Sequence, residues 1–295
     1  MKPDTLTQRM LPVVTILLVI VAVWYVAAVF MNAPFQRDLD RRGNVAASKP
    51  VDFIERTLSQ PKPVLPAPHQ VVSNVFENTF LRRVTSNRSL VYHAWVTLSS
   101  TVVGFTFGTV LGILIAVGIV HVKALDRSLM PWIIASQTVP ILAIAPMVIV
   151  VLAAVNITGL IPKALISTYL SFFPVAVGMV KGLRSPELIQ LDLMRTYHAS
   201  AAQTFWKLRV PASIPFLFTS MKVAIAASLV GAIVGEMPTG AVAGIGRKLL
   251  DGSYYSQTID LFAALIAASV LAATLVTIVG LAAKIVDRAM GGRSA

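Results

Sequence analysis

Residues 131–181 read PWIIASQTVPILAIAPMVIVVLAAVNITGLIPKALISTYLSFFPVAVGMVK, and this stretch decides the fold. It holds two apolar runs, 131–155 and 157–181. Each exceeds the roughly 20 residues a helix needs to cross a hydrocarbon core of about 30 Å. Little more than Asn156 to Pro162 separates them, which predicts a tight hairpin of two spans. Working outward, further apolar runs lie at about 11–31, 98–120, 214–235 and 260–283. The sequence therefore reads as an all-α polytopic membrane protein with six transmembrane helices.

Composition agrees. Of the 295 residues, 56% are hydrophobic and only 13% charged, and the mean hydropathy is +0.76. A soluble domain carries about 25% charge, so lipid is the main solvent. The first run, Leu11 to Met31, is longer than the 7–15 residues of a signal-peptide core, and no small-residue cleavage site follows it cleanly. It is expected to be a retained first span. The absence of cysteine excludes disulfides, thiolate catalysis, zinc fingers and iron–sulfur clusters. The net charge of +12 suits basic cytoplasmic loops and points to membrane lipid, with no nucleic acid as partner.

With a cytoplasmic N-terminus, the inside segments carry Lys2, Arg9, Lys123, Arg127, Lys181, Arg184, Arg195, Lys207, Arg209, Lys284, Arg288 and Arg293. The short outside segments carry Lys163, Arg247 and Lys248. The long segment 32–97 is basic too, but long loops translocate largely regardless of charge. Both termini are thus expected to be cytoplasmic. Residues 1–64 read as the first span and an external connection, and 65–295 as the core. Segment 32–64, with Pro34, Pro50, Pro61 and Pro63, is expected to be an exposed connection. Beyond Pro66 and Pro68, Val72, Phe76, Phe80 and Val84 recur at helical spacing, while Asn74, Glu77, Asn78 and Arg82 face away. Such a helix either lies flat at the membrane surface or packs on the rim of the bundle. Gly104, Gly108 and Gly112 form a ridge along which helices approach closely.

Residues 182–213 are polar and read as two short helices between the fourth and fifth spans. Ser185-Pro186-Glu187 opens the first, as a capping serine, a proline at the first helical position and an acid in the first turn. Leu188, Leu191 and Met194 stripe it. Ser200-Ala201-Ala202-Gln203 is a capping box for the second, which is expected to stop before Pro211. Tyr197-His198-Ala199 joins them. A bare connection needs no such device; a docking surface for a cytoplasmic partner does, and packing against the bundle ends is the alternative.

From Asp192 through His198 to Ser200, then Gln203-Thr204-Phe205-Trp206-Lys207 and Leu208-Arg209-Val210-Pro211-Ala212-Ser213-Ile214-Pro215, the segment resembles the EAA loop of ABC-importer permeases. That pattern is Glu-Ala-Ala, three residues, Gly, then about nine residues to a proline-containing segment. Asp192 stands for the glutamate, Leu193 and Met194 for the alanines, and His198 for the glycine. Glycine permits a left-handed turn, and histidine visits that region at some cost. The resemblance covers about residues 65–285. Leu65-Pro66-Ala67-Pro68, Thr97-Leu98, Val139-Pro140, Ala145-Pro146, Phe173-Pro174, and Glu236 followed by Gly244-Ile245-Gly246 are similar to the nitrate/sulfonate/taurine branch. Gln137 to Pro140 and Leu191 to Arg195 look most like the pyrimidine-precursor and riboflavin group. The resemblance implies a type I importer permease that forms half of a pathway for a small-molecule solute. It also implies a second permease, identical or related, cytoplasmic ABC ATPase subunits, an external solute-binding protein and a bacterial inner-membrane location. Asp192, Arg195, Tyr197, His198, Ser200, Gln203, Phe205 and Pro211 are the implied ATPase-coupling residues.

Gln137, Thr138, Pro140 and Tyr169 are candidate pathway residues, because prolines that break spans and polar groups beside them suit a cavity. Ser167, Thr168 and Ser171 supply further hydroxyls, and interhelical hydrogen bonding is the alternative role for each. Glu236 is a candidate gate, since a carboxylate at that depth needs a cavity or a partner; capping the amides of the following Gly-rich turn is the structural alternative. No nucleotide-cradling G-x-x-x-x-G-K-[ST], H-E-x-x-H or G-x-S-x-G occurs. His69, His93, His121 and His198 are scattered, so no metal, cofactor or catalytic site is expected. An autonomous secondary transporter would need coupling-ion ligands in the spans, where acids are nearly absent. A membrane-embedded enzyme would need a cluster of ionisable residues, and none assembles.

Overall fold

The structure, a computed structural model, describes residues 6–43, 50–238 and 241–291, with side chains from Met10 onward. The described elements are all helical. They form two compact units, one drawn from Met1–Val91 and Lys248–Ala267, the other from Tyr92–Arg247 and Ala268–Ala295.

The first unit begins with α1, Leu6–Arg42. It passes Met31, where the apolar run ends, and continues through Pro34. The polar residues of this extension have partners. Asn32 Oδ1 accepts from the Val64 and Leu65 amides at 2.7 and 3.1 Å, and its Nδ2 donates to the Leu65 carbonyl at 2.8 Å. Gln60 Nε2 donates to Gln36 Oε1 at 2.8 Å. Helix α2, Pro50–Leu58, is pinned by Arg56 to Asp40 at 3.2 Å. Among the described residues, 32–42 thus belong to α1 and 50–65 fold back on it through Asn32, Gln36 and Asp40, so the expected exposed connection is in part a structured element. Buried amide side chains require such pairing, and their partners lie some 30 residues away.

Next comes α3, Pro68–Phe76, which runs into a π-helical turn at Glu77–Leu81. Gln70 Oε1 accepts from the Ala67 amide at 3.0 Å and so caps the helix start. The polar side of this amphipathic stretch faces the protein. Asn74 Nδ2 donates to Asp260 Oδ1 at 2.9 Å, Asn78 to Asn74 at 2.9 Å, and Arg82 to Asn78 at 3.0 Å.

The second unit is built on α4 (Leu90–His121), α5 (Lys123–Ser136), α6 (Ile141–Ala154), α7 (Leu160–Leu183), α8 (Leu188–Thr196), α9 (Ala201–Thr204) and α10 (Val210–Glu236). Parts of α11 (Ile245–Tyr254) and α12 (Thr258–Ala289) complete it. Five of the described helices are long and apolar enough to cross a membrane, and α5 with α6 form a sixth candidate, bent by 97°. The third span is therefore broken at Gln137–Pro140. Its two halves run through the unit from end to end. Ile133 of α5 packs with Ile119 and Leu183, at the ends of α4 and α7. Ala145 of α6 packs with Ile166 and Val234, and Ile149 and Ala153 lie beside Gly159 and Lys163, at the start of α7. Counted as one broken span, the pair brings the candidate spans among the described residues to six. Asn156 and Gly159, at φ 60° and 79°, turn the chain from α6 into α7 as the hairpin requires.

The glycine ridge sets the packing. A Cβ at Gly104 would strike Ser167, one at Gly108 would strike Ser171, and one at Gly112 would lie 2.8 Å from Val175 Cβ. Helix α4 therefore lies directly on α7. On its other side α7 meets α10, where Gly178 faces Ser220 and Gly182 faces Ser213. Helix α12 adds Leu275 and Val279 against Ile225 of α10.

One expectation about α10 fails. The helix preceding Pro211 does not stop. Helix α9, a π-helical turn at Phe205–Arg209, and α10 run on as one 36-residue helix from Ala201 to Glu236. Proline lacks an N–H and crowds the preceding turn. Here it directly follows a π-helical turn, where the regular i→i−4 ladder is already interrupted.

Candidate coupling and gating sites

At one end of the second unit lies the turn between α8 and α9. Helix α8 is capped not by Ser185, whose hydroxyl donates back to Gly182 O at 2.8 Å, but at Glu187, whose amide donates to Gln190 Oε1 at 3.1 Å. Its C-terminus closes with the His198 amide on Arg195 O at 2.9 Å and the Ala199 amide on Met194 O at 3.0 Å. That pair of bonds is a Schellman motif, which places the residue after the C-cap in the left-handed region. His198 is that residue, at φ 50°. The capping box of α9 forms as expected, with the Ser200 amide on Gln203 Oε1 at 2.8 Å and the Gln203 amide on Ser200 Oγ at 3.2 Å.

Asp192 and Arg195 pair with each other at 3.0 Å on the exposed side of α8. Phe205 points the other way. Its ring meets His121 of α4 edge-on at 4.9 Å and packs on the cluster around Ile119 and Leu183. Arg209 Nη1 donates to Leu183 O at 3.2 Å, and Arg184 pairs with Asp126 at 2.9 Å. Phe205 thus anchors the segment to the bundle. The outward surface belongs to Leu188, Ile189, Leu193, Tyr197 and Trp206, all exposed. Trp206 was not singled out in the sequence; its ring meets that of Phe205 edge-on at 5.2 Å and lies on the exposed side of it.

Gln137, Thr138 and Pro140 all lie at the break between α5 and α6 and are exposed. Thr138 Oγ1 donates to Ala135 O at 2.8 Å, and the Tyr169 hydroxyl of α7 donates to Ser136 O. The structure brings these four together, beside an apolar cavity of about 330 Å³ lined by Leu111, Ile144, Tyr169 and Phe172 among others. Glu236 is not with them.

Glu236 ends α10, fully buried. Its Oε2 accepts from Thr97 Oγ1 and from the Gly246 amide, each at 2.9 Å. Thr97 Oγ1 in turn accepts from the Ile245 amide at 2.9 Å. His93 Nδ1 lies 2.9 Å from the Gly244 amide nitrogen and 3.0 Å from the Gly244 carbonyl oxygen. Lys163, counted in the sequence as a loop charge, is instead buried in the first turn of α7. Its Nζ donates to Ala243 O at 3.1 Å. Four side chains from α4, α7 and α10 therefore hold the segment 243–246. Beside them is a cavity of about 420 Å³ lined by Tyr92, Ser99, Ser100, Lys163, Pro238 and Ala243 among others. Of the capping role weighed for Glu236, the structure shows one amide, that of Gly246, on Oε2, while Oε1 is buried with no hydrogen-bond partner among the described residues.

Residues 108–292 match the family of binding-protein-dependent transport system inner membrane components. The chain belongs to this family. It is a multi-pass membrane permease of the ABC-importer kind. A formylaminopyrimidine transport permease protein, ThiX, of Halalkalibacterium halodurans is 32% identical over 192 residues, 65% of this chain and 71% of that one. A riboflavin transport system permease, RibX, of Chloroflexus aurantiacus is 28% identical and covers 76% of this chain and 80% of its own. A probable ABC transporter permease of Haemophilus influenzae is 28% identical over 70% and 80%. Among solved structures, an inward-facing form of the MetNI methionine ABC transporter superposes with a TM-score of 0.57 at 19% identity, over 68% of this chain and 95% of that one. That likeness speaks to the fold alone. For this permease, the residues the sequence did not flag are Lys163, His93 and Trp206. Lys163 carried a usable signal, since it falls within a helical apolar run only a few residues after Gly159.

Proposed function

We propose that this permease carries a small organic solute, of the pyrimidine- or vitamin-precursor type named for its relatives, and is driven by a cytoplasmic ABC ATPase docked on residues 186–208. Two permeases, identical or related, enclose the path, and an external solute-binding protein delivers the solute. Both termini face the cytoplasm. Hydrolysis belongs to the separate ATPase subunit. Glu236, with Thr97 and Lys163, holds the 243–246 segment as a gate at the opposite end of the unit from the coupling turn.

One observation carries this reading. The capped turn at His198 continues without interruption into a span that ends at Glu236, and α8 turns Leu188, Ile189 and Leu193 outward. An apolar face on an otherwise polar loop is what a partner surface covers. The test is Leu193→Asp. It places a charge in the docking face and touches nothing inside the bundle. Membrane insertion should be normal, while co-purification of the ATPase and solute uptake should both fall at least tenfold. Full retention of the ATPase by this variant refutes the docking face.

A further inference from the structure

We propose that the segment from Pro68 to Val84 is an interfacial anchor, its apolar stripe seated at the headgroup–acyl boundary of the leaflet at the N-terminal end of α12. The stripe faces away from the protein. Val72 is 64% exposed, Phe76 55%, Phe80 72% and Val84 57%. The opposite face is the polar ladder of Asn74, Asn78 and Arg82, which is fixed to Asp260 in the first turn of α12. A surface helix in water turns its polar side outward; this one is reversed, so its surroundings are apolar.

Two markers set its depth. Asp260 lies at the start of a span, where the chain enters the bilayer. Trp24 Nε1 donates to Pro66 O at 3.0 Å, and the Tyr25 ring stacks on His69 at 5.9 Å. Trp and Tyr with an apolar body and a hydrogen-bonding tip collect at the membrane–water boundary. Both tie the start of α3 to the lipid-exposed helix α1 at that level. Residues four apart on an α-helix overshoot one turn by about 40°. The π-helical turn at Glu77–Leu81 has more residues per turn and so reduces that overshoot, which keeps Phe76 and Phe80 on one stripe, ring centroids 5.2 Å apart. Arg82 pairs with Glu77 at 2.8 Å; just beyond come Arg83 and Arg88 with no acid among residues 82–88, a charge suited to lipid phosphate. The occupant is therefore the bilayer, continuous with the lipid that surrounds α1.

The native chain has no cysteine, so single probes are clean. Val72→Cys, Phe76→Cys and Phe80→Cys are each labelled with an environment-sensitive fluorophore in the full-length chain. The chain is held in nanodiscs of phosphatidylethanolamine and phosphatidylglycerol, with Ser59→Cys as the aqueous control. Nitroxide-bearing lipid should quench the three stripe probes at least twofold more than iodide does, and iodide should dominate at Ser59. Iodide-dominated quenching at the stripe overturns the proposal. So does shielding from both quenchers together with disulfide formation between Phe76→Cys copies, which would make a second copy the occupant. Val72→Cys removes the least apolar volume and decides the matter if either phenylalanine variant fails to fold.

Discussion

Replacing His198 tests the coupling turn through its backbone alone. At φ 50° the residue occupies the left-handed region, which costs an L-residue about 1–2 kcal/mol relative to the right-handed helix. Glycine carries no such penalty, while a β-branched side chain there is a rare outlier. His198→Gly should therefore keep the turn, with ATPase affinity within about threefold of the native chain, because 1.4 kcal/mol is a factor of ten and the change relieves strain rather than adding it. His198→Val should add a further penalty of about 1–2 kcal/mol. The turn must then either hold that strain or release the two Schellman bonds from the His198 and Ala199 amides. If only the left-handed turn binds, apparent affinity drops in proportion to its population, by about 5–30-fold for that penalty. The assay is titration of the ATPase subunit onto the permease in nanodiscs, with solute uptake measured in parallel on reconstituted transporter. Insertion and expression should not change, since the side chain is exposed. Full binding and uptake by the valine variant refute the backbone argument. Equal loss in the glycine and valine variants shows that the imidazole itself makes the contact.

The gate predicts a different separation of effects. Glu236→Gln keeps an acceptor for Thr97 and Gly246 but replaces the carboxyl with an amide that cannot ionise; uptake should fall at least tenfold while the ATPase still assembles, and normal uptake would leave the residue a purely structural cap. Thr97→Val removes a hydroxyl that both donates to Glu236 and accepts from Ile245. Two buried groups then lose a partner at about 1–3 kcal/mol each, so the thermal midpoint in detergent should drop by several degrees, and an unchanged midpoint would show that the network contributes nothing to stability. For topology, cysteines at Ser59 and Ala202 should react with impermeant maleimide from opposite sides of sealed vesicles, and labelling from one side would overturn the orientation.

The spans were legible because their signal is local. Twenty apolar residues specify a crossing whatever surrounds them, and the glycine spacing at 104, 108 and 112 marked a close-packing face on α4, whose partner, α7, only the structure shows. The left-handed backbone at His198 was legible for another reason, since it occupies the place where the EAA pattern has glycine. The losses share a cause as well. Asn32 and Gln36 look like loop residues because nothing nearby in sequence satisfies them; their partners are at Val64, Leu65 and Gln60. Lys163 counted as a loop charge because the carbonyl that receives it lies 80 residues away, at Ala243. Pro211 misled because proline usually closes a helix, and a π-helical turn has no clear compositional mark. Long-range hydrogen bonds and a change of helical period escape propensity arguments.

That change of period matters beyond the boundary it moved. With α9, the π-helical turn and α10 continuous, Ser200 caps one end of a helix about 54 Å long, and Glu236 is the last residue at the other. Near the first end, Phe205 lies against His121 and Arg209 holds Leu183 O, so the helix is tied to α4 and α7 where it leaves the coupling turn. Further along, Gly178 against Ser220 and Gly182 against Ser213 leave no room for a side chain to slip between α7 and α10. Gly104 and Gly231 both close on Ser167, so α4 and α10 grip α7 at one point. Interfaces this close resist sliding, because packed surfaces shift between discrete arrangements and do not shear continuously. The break at Gln137–Pro140 has no such grip: its residues are exposed, and Tyr169 secures it by a hydrogen bond to Ser136. If the proposed ATPase moves the His198 turn, the displacement is expected to reach Glu236 as movement of the α4–α7–α10 block, with the exposed break between α5 and α6 as the part of the unit gripped least.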